Sequence, residues 1–172
     1  MHPPLIGDPD WTLVPHPALT QERVTFLQAQ PEDGLQVAYF TSPAGHLKAR
    51  AWFGPATQGP PGHAHGGSMA ALLDEVVGGA AWVAGHPVVA ATLNVRFRAM
   101  LPLGSVVTAT GRVTRASGRR VHVAGEIVGP DGQVHAEAEG VFVVVDLERL
   151  PPLPPGVERE LRALVGSVGA QD

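Results

Sequence analysis

The chain of 172 residues contains no cysteine. That excludes disulfide frameworks, thiol catalysis and thiolate zinc sites together, and it fits a reducing cytoplasm. Charge is sparse as well, at 16% of residues, with a net value of -4 and a pI near 6.0. Lys48 is the only lysine, so almost all positive charge is arginine. A nucleic-acid binder would need a basic excess that this composition lacks. Aromatic residues make up only 5%, which argues weakly against a specialised aryl cage. No apolar run reaches the ~18 residues a membrane span requires. The opening "MHPPLIGDPDWTLVPHP" has no basic segment leading into an apolar core, so no signal peptide is expected. A soluble cytoplasmic protein, without nucleic-acid or membrane partners, is the expectation.

What is present is a globular composition, 44% hydrophobic, of a size that suits one domain with a tail at each end. Residues 1–34 are Pro-rich, with a short helix expected at "ALTQERVTFLQA". Two β-prone runs, 35–41 and 46–53, flank the turn signal "SPAG". The Pro- and Gly-dense loop 54–64 precedes one long helical stretch, 67–84, with Ser68 placed to cap it. Four strands follow at 87–99, 104–116, 119–129 and 133–146. The connections "SG" and "PDG" read as hairpin turns, so the last three strands should form an antiparallel meander. Residues 148–172 read as a Pro-rich linker and a short helix at "VERELRALV", leaving 35–147 as the domain. The order predicts an α+β fold, a curved antiparallel sheet of about six strands wrapped around one long central helix. Its open edges need cover, and dimerisation supplies it.

The chemistry concentrates in "GPPGHAHGGSMAALLDEVVGGAAW", residues 59–82. On a helix, Gly67, Ala70 or Ala71, Asp74, Gly78 and Ala81 share one stripe, and all but Asp74 are small. Met69, Leu72, Leu73, Val76 and Ala80 form the bulky side that packs on the sheet. A carboxylate buried here without compensation would be costly. At the helix start, the N–H groups of Gly66, Gly67 and Ser68 lack intrahelical partners and sit at the positive end of the dipole, a setting for an anion or a developing oxyanion. Asp74 lies about 10 Å from Gly67 by helical rise. One carbonyl therefore cannot meet both elements from the same chain, and a site shared between two chains is expected.

"HGGSMAALLDEVVG" resembles the H-G-G-x(6)-D-x(3)-G signature of hotdog-fold acyl-CoA thioesterases, and "TLNVRFRAMLPLGS" resembles their next strand. The nearest branch is the phenylacetate-pathway-like thioesterases with their mammalian relatives, and the similarity spans roughly residues 35–146. It implies a hotdog-fold homodimer, or a dimer of dimers, that hydrolyses acyl-CoA to free acid and coenzyme A. Asp74 falls on the family's general base or nucleophile, Gly66 on the oxyanion donor and His65 on the histidine beside it. Gly67 and Gln58 fall at the substrate. The family's Asn or Gln position is Gly59 here, and Gln58 is its neighbour. The Ser or Thr of the following strand is Ala90, for which Thr92, expected on the same strand face, would substitute. The resemblance implies no metal or prosthetic cofactor, coenzyme A being part of the substrate.

The remaining titratable residues have plainer readings beside the functional ones. His63 and His65 form an H-x-H pair, but the carboxylates come nine and ten positions after His65, past a Gly pair, which is poor zinc geometry. His86, His122 and His135 read as ordinary surface or strand histidines. Arg98, Arg119 and Arg120 are candidates for the phosphates of coenzyme A, which suit guanidinium forks. Two alternatives to hydrolysis stand: a non-catalytic acyl-CoA binder, and an enoyl-thioester hydratase or dehydratase on the same fold. The His-Phe-Pro segment expected of such a hydratase is missing from the sequence.

Overall fold

The computed structural model describes residues 2–14, 26–27 and 29–146. Its strands are β1 (Thr12–Val14), β2 (Leu35–Thr41), β3 (Leu47–Phe53), β4 (Val88–Phe97), β5 (Val106–Ser117), β6 (Arg120–Val128) and β7 (Val134–Val144). The helix α1 runs over Gly66–Val83. One seven-stranded antiparallel sheet has the order β1-β2-β3-β5-β6-β7-β4. It does not close, so β1 and β4 are its edges.

The expected meander is β5-β6-β7, and Gly118 makes its first turn with φ of 56°, a conformation that costs glycine little. In β5 the side chains alternate between the two sheet faces. Val107, Ala109 and Gly111 are buried toward the helix, until a bulge between Val113 and Arg115 breaks the period. The seventh strand was not expected. Thr12–Val14 lies within the Pro-rich extension, pairs with β2, and is too short to show a period of its own. The helix expected at 157–165 and most of the one expected at 18–29 lie outside the described residues.

The helix lies on one sheet face with Leu72, Leu73, Val76 and Val77 fully buried. Each such side chain contributes about 1.5–3 kcal/mol relative to exposure. Close approach depends on glycine in the strands beneath. A Cβ on Gly111 would collide with the Val76 carbonyl oxygen, and one on Gly125 would lie 2.6 Å from Val77 Cγ1. Beyond the helix, Trp82 Nε1 donates to the Val88 carbonyl at 3.2 Å, tying its end to the start of β4. The other sheet face carries the N-terminal segment. Trp11 stacks near Phe40 and under the Arg50 guanidinium, while Arg50 pairs with Asp8 at 2.5 Å. Among the described residues, no helix is long and apolar enough to cross a membrane.

Candidate active site

The loop ahead of the helix is irregular but tightly pinned. A 3-10 turn, Pro55–Thr57, opens it, and the Thr57 hydroxyl donates to the Gly54 carbonyl at 2.7 Å. The His65 N–H then donates to the Thr57 carbonyl at 2.7 Å, and the Ala64 N–H to the Leu101 carbonyl at 2.8 Å. These bonds fix where the helix begins.

It begins at Gly66, two residues before the expected cap. His65, in extended conformation, is the N-cap, and its Nδ1 accepts from the Gly67 N–H at 2.9 Å. The neutral ring therefore carries its proton on Nε2. Ser68 sits inside the helix, its hydroxyl donating to the His65 carbonyl at 2.7 Å. Histidine is not a residue the capping preferences single out, which is why Ser68 was the expectation. With Gly67 engaged, the N–H of Gly66 is left at the positive helix end, and no described backbone acceptor takes it.

Two clefts flank this helix start. One, of about 330 Å³, is lined by His63, Gly66, Met69, Phe97, Arg98 and Met100. A Cβ on Gly66 would come within 3.2 Å of the Phe97 ring, so glycine keeps this passage open. The other, of about 270 Å³, is lined by Gln58, His65, Gly67 and Ser68 beside Leu27 and Leu35. Gln58 is anchored there, its Oε1 accepting from the Gly62 N–H at 3.2 Å. His63 and His65 thus line different clefts, and His63 Nδ1 bonds the Pro61 carbonyl at 2.9 Å. Among the described residues, no group of three or more His, Asp or Glu could hold a metal ion.

Asp74 points outward in the single chain, exposed on the stripe with Gly67, Ala70, Ala71 and Gly78. The burial penalty anticipated for it is therefore only partial within one copy. Enough protein still surrounds the carboxyl to hold its pKa above the usual carboxylate range, by desolvation first and the neighbouring Glu75 second. Its exposure keeps that penalty well below that of an enclosed group. Asp74 stands eight residues after Gly66 on one helix, about 12 Å along the axis.

The structure corrects the reading of Thr92. Ala90 pairs with Phe142 and Thr92 with Val141, so a bulge lies between them. Adjacent residues of β7 face opposite ways, and Thr92 therefore points to the face opposite Ala90. The arginines are also not one group. Arg98 lies at the Gly66 cleft, paired to Glu137 at 2.6 Å. Arg119 donates from Nε and Nη2 to the Val144 carbonyl at 3.2 and 3.1 Å, and Arg120 is exposed beside it. Val144 faces Val88, whereas Phe97, adjacent to Arg98, faces Ala136. Nine strand steps, about 30 Å, separate those ends, so within one chain Arg119 and Arg120 do not reach Gly66. Sequence reasoning passed over Phe97 and Met100 as cleft walls, and His135, which is buried.

A helix packed on a curved antiparallel sheet, its glycine-rich start opening on a cleft, is the hotdog arrangement. Residues 61–136 match the family model of the thioesterase superfamily. Among curated proteins it is similar to the mouse acyl-coenzyme A thioesterase THEM5, with 35% identity over 55% of this chain and 39% of that one. It is also similar to the acyl-coenzyme A thioesterase THEM4 of Xenopus laevis, with 30% identity over 74% of this chain and 59% of that one. The chain thus spans only part of the length of the curated relatives it matches. A crystal structure of a thioesterase superfamily protein shares 37% identity, with a TM-score of 0.56 over 62% of this chain and 53% of that one. The E. coli PaaI protein, from the phenylacetic acid degradation operon, shares the fold at 19% identity and a TM-score of 0.59, over 65% and 80%. So does a Streptococcus mutans protein solved with acetyl-CoA, at 19% identity and a TM-score of 0.59, over 69% and 94%.

Proposed function

We propose that the chain is an acyl-CoA thioesterase acting as a homodimer with its sites shared between copies. The observation that carries this is the His65-capped helix start, where the Gly66 N–H is left over beside a cleft while Asp74 stands outward on the same helix. The Gly66 N–H of one copy stabilises the carbonyl oxygen as negative charge develops on it. Asp74 of the second copy takes a proton from water as the water oxygen attacks the carbonyl carbon, or attacks that carbon itself. The C–S bond then breaks, and the coenzyme A thiolate leaves and is protonated. Where Asp74 itself has attacked, water then hydrolyses the acyl-aspartyl anhydride to free acid and restores the carboxylate. A thioester is already activated, so no metal or prosthetic group enters the scheme, and the reducing cytoplasm suits a chain without cysteine. The exposed ten-residue edge β4, which carries the exposed side chains of Val89 and Phe97, is the surface that would join two copies. The relatives' names and the neighbour solved with acetyl-CoA support coenzyme A as the carrier.

Free-thiol release from short, medium, long and aryl acyl-CoA esters tests the reading. Asp74→Asn should lower kcat by about a thousandfold; a wild-type rate would remove Asp74 from the mechanism. Gly66→Pro deletes the N–H in a position where proline suits a first helical turn and where His65 is already extended. Mixing Asp74→Ala with Gly66→Pro chains should restore one intact site per mixed dimer. A mixture that stays inactive, with subunit exchange confirmed, would exclude the shared site.

A further inference from the structure

His135 is the extra residue of a bulge in β7. Ile127 pairs with Ala136 and Val128 with Val134, leaving His135 without a counterpart on β6. A bulge re-aims the side chain it carries. Here the ring is buried, and its Nδ1 lies 3.0 Å from the Met100 carbonyl oxygen. A carbonyl only accepts, so Nδ1 carries the proton. The backbone of the same residue works in the same direction. The His135 carbonyl accepts from the Arg98 N–H at 2.8 Å and from the Ala99 N–H at 3.2 Å. Three bonds from one residue thus hold Arg98–Met100, the segment that walls the cleft beside Gly66. Gly129 makes room for the ring, since a Cβ there would stand 2.8 Å from His135 Nε2.

We infer that His135 is a positioning residue: its ring clamps the Arg98–Met100 wall of the Gly66 cleft and so sets the affinity for the acyl-CoA carrier. The inference rests on the thioesterase reading, which places the substrate in that cleft. It assigns His135 to binding, remote from proton transfer at Asp74.

The test compares His135→Leu, His135→Asn and His135→Gln in the full chain. An asparagine amide nitrogen falls close to the place of Nδ1 and can donate to Met100, whereas the longer glutamine cannot put its amide there. Octanoyl-CoA hydrolysis, coenzyme A titration calorimetry and amide exchange at residues 98–100 are the readouts. Losing the bond should raise KM for octanoyl-CoA and Kd for coenzyme A about tenfold in the Leu and Gln variants. Exchange at 98–100 should accelerate while kcat stays near wild type, and His135→Asn should recover all three. If the Leu variant fails to fold, the Asn and Gln pair carries the comparison. Equal behaviour of the Asn and Gln variants, or a fall in kcat alone, would overturn the inference. A wild-type chain that releases no thiol would remove the thioesterase reading instead, and the clamp would still be decided by exchange and coenzyme A affinity.

Discussion

The two edges of the sheet are built in opposite ways. The β1 edge is three residues long and belongs to a segment that folds over the outer sheet face through Trp11, Asp8 and Arg50. The β4 edge is ten residues long, largely exposed, and carries Val89 at 51% and Phe97 at 55% exposure. A short edge leaves little backbone for another chain to pair with, whereas a long apolar one invites pairing. The difference teaches that one end of the sheet is covered within a single copy while the other leaves a long ladder edge open, the edge the proposed dimer would use. The candidate chemistry lies at the second end, where Phe97 lines the Gly66 cleft.

The strongest way to break this contrast is to charge the long edge. Val89→Lys with Phe97→Lys should halve the mass seen by light scattering and bring thiol release to background. Leu13→Lys on the short edge, at a residue 68% exposed, should leave both unchanged. A double variant that keeps wild-type mass would show that β4 is not the joining edge.

A smaller effect sharpens the other side. Trp11→Ala removes the stacking on Phe40 and the cation–π contacts to Arg50 and Lys48, together about 1–2 kcal/mol. The melting temperature should fall by a few degrees, about 2–4 °C per kcal/mol, with mass and activity retained. A change in mass would mean that the N-terminal segment also serves assembly.

The smallest expected effect concerns Asp74. Its folded pKa is raised, so ionisation is less favourable in the fold than in the unfolded chain. The protonated form is fully populated below the ordinary carboxylate range, and the stability it lends is lost as pH rises through the folded value. Asp74→Asn should therefore melt slightly higher than wild type near neutral pH. The advantage should vanish below about pH 4. As a base, Asp74 should also move the acid limb of the rate profile above that range. A lower melting temperature for the variant at pH 7 would contradict the direction.

The contrast between the edges also marks where the sequence was legible. Alternation along 104–116 and the small-and-bulky division of 67–84 locate the sheet and the helix, because burial against a common core imposes both periods. Local pattern fails where a single residue departs from it. Thr12–Val14 is too short to show a period, and the bulges at Ala90–Thr92 and at His135 change the facing of residues without a compositional sign. The His65 cap was hidden for another reason, since Ser68 fits the usual preference and lies only three residues on. Gly66 and Asp74 were legible as a spaced pair. Arg119 and Arg120 were grouped with Arg98 by charge alone, and the β4–β7 ladder sets them at the opposite end.

Under the middle of α1, Gly111 and Gly125 leave no space for even a methyl group. A hydrocarbon tail is at least that wide, so none threads between helix and sheet at that level. In the proposed enzyme, acyl length would be measured outside the core, against the surface of a second copy. Selectivity and foldability then draw on different residues. Such a scaffold can be retuned toward longer or shorter substrates while the packing that holds it folded stays untouched.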